Sequence, residues 1–129
     1  MGTLLLYGFD ELNEVMTVKA AVSPYLVEVK PVWREDYRRP VGALAGRPLQ
    51  EDPESRFSGS LGGRMMVFCD LDDQLDVLLP ALRGANIGPE CYKAVLTASN
   101  QGWNGVALFA ELQRERQAIA EQRRKKETT

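Results

Sequence analysis

The most chemically suggestive stretch of this sequence is Lys93-Ala94-Val95-Leu96-Thr97-Ala98-Ser99-Asn100-Gln101-Gly102-Trp103. It leads from an apolar, strand-like run toward a helix, with Thr97, Ser99 and Asn100 clustered at the junction. A helix start carries unpaired N–H groups and the positive end of a dipole, so Lys93, Thr97, Asn100 and Trp103 form a candidate site for a small anion, a phosphate or carboxylate. The same residue types also serve as ordinary helix caps: Asn100 or Ser99 would cap, Thr97 would end the strand, and Trp103 would pack in the core.

A second cluster, Asp70, Asp72, Asp73 and Asp76, has the oxygen chemistry of a hard cation site, but its spacing misses the EF-hand pattern. Carboxylates in the first turn of a helix are stabilised by its dipole, and Asp10-Glu11 repeats the arrangement earlier in the chain, so helix starts are the simpler reading.

The sequence contains no histidine. That removes His-dependent triads, the common zinc sites and imidazole acid–base chemistry. Two cysteines, Cys69 and Cys91, lack a C-x-x-C or Cys/His spacing and read as small reduced core residues of a cytoplasmic protein. A catalytic role for Cys69, or for a carboxylate with Lys93, would need a positioned base, and none is evident. No nucleotide or dinucleotide fingerprint is present either. A non-enzymatic protein without cofactor or metal is therefore expected.

The elements that must position these residues follow from composition and periodicity. At 129 residues, with 44% hydrophobic and 26% charged content, one globular domain with its own core is expected. Net charge is −2, unevenly placed: residues 113–129 carry +3 and the remainder −5. This near balance gives no global reason for nucleic-acid or membrane binding. The apolar run near Met1 lacks a basic flank and is too short for a signal peptide or a membrane span.

Thr3–Tyr7 reads as an apolar strand. A helix then opens at Asp10-Glu11 with Leu12, Val15, Met16 and Ala20 on one face, and closes at Ser23-Pro24. Tyr25–Val32 alternates as a half-solvated strand, with Pro31 pointing to an edge position. Residues 38–63, with Pro40, Pro48 and Pro53 and several glycines, read as a flexible insertion containing at most one helical turn, Val41–Ala45. The pattern then repeats: strand Met65–Cys69, an acidic helix start, a Leu75/Leu78/Leu79/Leu82 stripe with Pro80 expected to kink or shorten it, and strand Tyr92–Thr97. A final helix opens near Asn100–Trp103 with Val106, Phe109 and Leu112. It leaves a basic helical tail at 113–129 beyond a domain at 1–112.

The order βαβ, linker, βαβ, α fits a ferredoxin-like α+β two-layer sandwich, with a small α/β sheet as the alternative. In the sandwich both repeat helices cover one face while Leu4–Tyr7 and Met65–Phe68 are apolar on both. The second face then needs a cover: the last helix anchored by Trp103 and Phe109, the Val41–Leu49 stretch, or a second copy of the chain. The βαββαβ order also brings RNA recognition to mind, but Gly63–Phe68 lacks the required aromatic spacing, which argues against nucleic acid.

Lys93–Thr97 with Asn100 and Trp103, followed by Glu111-Leu112 and Glu115, resembles the signature of a bacterial domain-of-unknown-function family of short proteins, and Leu5–Phe9 is similar to its opening motif. The resemblance implies no activity, substrate or cofactor. Pro80, Gly102 and Gly105 depart from the family's usual helical segments. The expectation is a cytoplasmic, non-catalytic binding or protein-interaction module that homodimerises or meets a partner through the open sheet face. The alternative is a small-anion-binding regulatory domain built on the Thr97–Trp103 turn.

Overall fold

The computed structural model describes residues 2–48 and 61–127. The elements follow as β1 (Thr3–Tyr7), α1 (Leu12–Val22), β2 (Glu28–Pro31), α2 (Val41–Leu44), β3 (Arg64–Cys69), α3 (Leu75–Gly84), β4 (Cys91–Val95) and α4 (Gly105–Glu127). Four strands form one sheet in the order β2-β1-β3-β4. The apolar strands are central and the alternating ones lie at the edges, as their hydropathy requires.

The fold is α+β, but its sheet differs from the ferredoxin-like expectation. There, another strand splits each βαβ unit. Here β1 pairs directly with β2, and β3 with β4, both parallel. The two units join through antiparallel β1 and β3, with Leu5 opposite Val67. Part of the reason lies in β2. Val32 N–H donates inward to Leu6 O at 2.9 Å, so Val29 and Pro31 turn their backbone outward, where Pro31 offers no N–H to a hairpin partner. The long link after β2 crosses the sheet instead and delivers β3 to the other side of β1.

Two cores sandwich the sheet. Leu4, Leu6, Met66 and Phe68 face α1 and α3, meeting Val15, Val18, Val22, Leu78 and Leu82. Leu5, Tyr7, Met65, Val67 and Cys69 face the other way, meeting Tyr37, Val41, Leu44, Leu108 and Phe109. The second face is therefore covered by α2 and the first turns of α4 within one chain, and the expected homodimer through an open sheet face loses its surface. Within the expected flexible insertion α2 is packed, with Val41, Gly42 and Leu44 buried, while Arg38, Gly46 and Pro48 are exposed; 49–60 lie outside the described residues.

Two helix faces also differ from expectation. α1 buries Val15, Val18 and Val22, leaving Leu12 77% and Met16 53% exposed. A valine stripe at spacings of three and four was available beside the predicted one, and its smaller side chains seat the helix closely on the sheet. α3 runs through Pro80 without ending there. The missing N–H leaves the Asp76 carbonyl without its usual intrahelical donor, at an exposed position where water can replace it.

Glycine is required where the chains approach most closely. A Cβ on Gly105 would meet the ring of buried Tyr7, with Cδ2 2.9 Å and Cζ 3.0 Å away. Gly8 adopts φ +80°, and its N–H donates to Tyr37 Oη at 2.9 Å.

Candidate functional site: the edge of β4 and the groove under α4

The four predicted site residues do different work. Thr97 and Asn100 close a reciprocal turn: Thr97 N–H donates to Asn100 Oδ1 at 2.8 Å, and Asn100 N–H donates to Thr97 Oγ1 at 3.1 Å. Asn100 Nδ2 donates to Val95 O at 3.0 Å. The turn is not the start of the last helix. α4 begins at Gly105, and Asn104 is its cap, with Oδ1 accepting from Ala107 N–H at 2.8 Å.

Lys93 is tied elsewhere. Its ammonium donates to Gly88 O at 2.9 Å and Cys91 O at 3.1 Å, at the opposite end of β4 from the Thr97 turn. Trp103 is 41% exposed rather than packed in the core. Its backbone is what matters: Trp103 O accepts from Val41 N–H and Gln101 O from Gly42 N–H, both at 2.8 Å. These two bonds satisfy donors at the start of α2. Arg47 reinforces the junction, donating to Gln101 Oε1 at 2.7 Å and Asp70 Oδ1 at 3.2 Å. The chain thus holds Thr97 with Asn100, but gives Lys93 and Trp103 other partners.

One task unites Lys93 and Asn100. Leu96 N–H donates inward to Phe68 O at 2.9 Å, so strand alternation turns the backbone of Cys91, Lys93 and Val95 away from β3. Cys91 O is taken by Lys93, Cys91 N–H by Gly88 O at 3.2 Å, and Val95 O by Asn100. Only the Lys93 amide groups and the Val95 N–H lack such a partner among the described residues. The ladder is thus occupied at its two ends, which shortens the stretch open to pairing with another chain.

Beside this edge, the underside of α4 and the loop before β4 enclose a groove of about 460 Å³, lined by Pro89, Tyr92, Lys93, Leu112, Arg116 and Ile119, with Glu115, Ala120 and Arg123 completing it. The Tyr92 ring is its floor. Phe109 meets that ring edge-on, with centroids 5.0 Å apart and planes at 75°. The Arg116 guanidinium lies 3.9 Å from its centroid. An aromatic face gripped by a cation and an aromatic edge is a stable, preorganised surface. Leu112, Arg116, Ile119 and Arg123 recur at spacings of three and four, but only two of the four are apolar, so the sequence pattern alone does not mark this stretch as the wall of a groove.

Nucleophilic chemistry has little support. Cys69 and Cys91 are buried and free, and burial pushes their thiols up to about 12 and about 11. Thiolate is then scarce near neutrality. Among the described residues, no group of three or more His, Cys, Asp or Glu is placed to hold a metal ion. The expected acidic cap at the second helix is not made by a side chain: α3 has no side-chain cap hydrogen bond and carries only Asp76 in its first turn, Asp72 and Asp73 lie in the short turn before it, and Asp70 is taken up by Arg47. Among the described residues, no helix is long and apolar enough to cross a membrane.

Residues 64–119 match the model of a family described as a domain of unknown function, DUF3783. The matched span holds β3, α3, β4 and the first part of α4, so it includes Lys93, Thr97, Asn100 and Trp103 and most of the groove. β1, with its Leu5–Phe9 motif, lies outside it. No curated protein and no solved structure matches the chain.

Proposed function

We propose that this protein is a non-catalytic protein-interaction module whose contact surface is the groove between β4 and the second half of α4. The observation that carries this reading is the exposed length of α4. Residues 114–126 are exposed, and Ile119 is 52% exposed within the groove. An isolated helix of this length is marginal in water, so a partner against its exposed face would stabilise it. The Tyr92–Arg116 contact holds the helix over the edge strand in readiness. Aromatic, Arg and large aliphatic residues converging in one concavity have the composition of binding hot spots.

A small-anion role for the Thr97–Trp103 turn has less support, because Thr97 and Asn100 spend their polar groups on each other and on Val95. Two buried, free thiols suit a reducing cytoplasm, and a cytoplasmic setting is part of this proposal.

Site-specific photo-crosslinking in cells tests it. A benzophenone side chain at position 119 should yield a discrete protein adduct, while the same group at Leu12 or Leu26, exposed but remote in sequence and element, should not. Equal labelling at all three positions, or none at 119, would sink the reading.

A further inference from the structure

We infer that the groove takes an acidic amphipathic helix, laid along α4 with its apolar stripe on Tyr92, Leu112 and Ile119. The inference rests on the interaction reading above and adds the chemistry of the partner. Three observations carry it.

The first is the shortened edge. A partner peptide commonly adds itself to a sheet as an extra strand. Here Lys93, Gly88 and Asn100 occupy the outward backbone at both ends of β4, half of its outward groups, so an added strand finds only the Lys93 amide groups and the Val95 N–H to pair with. The second is shape. Leu112, Arg116, Ile119 and Arg123 recur at spacings of three and four on one side of α4, and from Leu112 to Arg123 they span about 16 Å at 1.5 Å per residue. That length accommodates about three turns of a second helix, whose own residues at i, i+3 or i+4, and i+7 would meet the stripe.

The third is charge. Lys93, Arg116 and Arg123 line the groove against one carboxylate, Glu115, and residues 113–129 carry +3. A second copy of the chain presenting its own α4 would set +3 against +3. An acidic helix meets complementary charge on both rims and is steered toward the site. Nucleic acid is the other anionic class, but the groove has an apolar floor with a carboxylate on its rim rather than a continuous basic track.

The test uses the full-length, isotope-labelled protein in an NMR titration. The probe is a synthetic peptide helix of about five turns, with leucines at heptad spacing and glutamates on the flanks. Its control has lysines in place of the glutamates. The acidic peptide should shift Tyr92, Lys93 and the amides from Leu112 to Arg123. Arg123→Glu and Arg116→Glu should each weaken it about tenfold, and Ile119→Glu should abolish the shifts while the Tyr92–Phe109 ring contact persists. Equal binding of both peptides, shifts outside the groove, no binding at all, or tighter binding of a DNA duplex or single-stranded RNA would each overturn the inference. If the acidic peptide fails while crosslinks at position 119 form, the partner chemistry falls and the site stands. If position 119 gives no crosslink, the site itself falls.

Discussion

Replacing Asn100 by alanine separates the two roles open to this residue. In the fold it is a structural clamp, with Oδ1 holding the Thr97 N–H at 2.8 Å and Nδ2 holding the Val95 carbonyl at 3.0 Å. Each side-chain bond contributes about 0.5–1.5 kcal/mol net, so Asn100→Ala should cost about 1–3 kcal/mol. The upper half of that range applies if the turn loosens far enough to release the Gln101 and Trp103 carbonyls from the start of α2. Asn100→Asp is the informative companion: it keeps an acceptor for Thr97 N–H, loses the donor, and sets a carboxylate beside the Val95 carbonyl. Urea denaturation should show a lower midpoint for both variants at unchanged slope, because the surface exposed on unfolding does not change. Freed groups on β4 should also raise the tendency to associate through that edge. A loss below about 0.5 kcal/mol for Asn100→Ala, together with loss of an anionic ligand that co-purifies with the unsubstituted protein, would refute the clamp and restore the anion site.

Gly105→Ala should destabilise the fold by about 1–3 kcal/mol through overpacking against Tyr7, despite alanine's better helix propensity, and thermal melting will show it as a lowered Tm. Cys69 and Cys91 should be alkylated only slowly near neutral pH in the native protein and rapidly in denaturant; fast native alkylation of Cys69 would reopen a catalytic reading. Both thiols have folded values raised by burial above the ordinary 9.0, to about 12 and about 11. Their contribution to stability is then complete below pH 9 and is lost as pH rises toward those values, because the unfolded chain releases its protons first. Each group should lower stability by about 1.4 kcal/mol per pH unit in that window, visible as a falling urea midpoint that Cys→Ser variants partly remove. Truncation after Gln113 should change stability by less than about 1 kcal/mol, since residues 114–126 are exposed; a larger loss would mean that the end of α4 belongs to the core.

Much of the architecture was legible because its signals are local. The doubly apolar runs of β1 and β3 announce central strands, Pro31 announces an edge, and the strand pattern of Tyr92–Thr97 places β4, whose Tyr92, Ala94 and Leu96 share one core. Sheet order was not legible, because hydropathy says which strands are inside and nothing about which neighbours pair. Two of the three candidate covers share the second face, the last helix and the turn at Val41–Leu44, because hydropathy marks what can cover a face but not how many elements divide it. At the site, clustering of Thr97 and Asn100 was visible, whereas the long reach of Lys93 back to Gly88 depends on the bend of the preceding loop. Trp103 misled for a physical reason: its carbonyl, not its indole, makes the contact that fixes α2.

The central claim is that α4 stays folded over the edge of β4 and so maintains a groove floored by Tyr92. The most direct measurement is the set of nuclear Overhauser contacts between the Tyr92 ring and the side chains of Arg116 and Phe109, taken with the backbone shifts of residues 113–127. Contacts from both neighbours to the ring and helical shifts through Arg123 are expected. Random-coil shifts beyond Leu112 with no Arg116 contact would mean that the groove does not exist, and the proposed function would go with it.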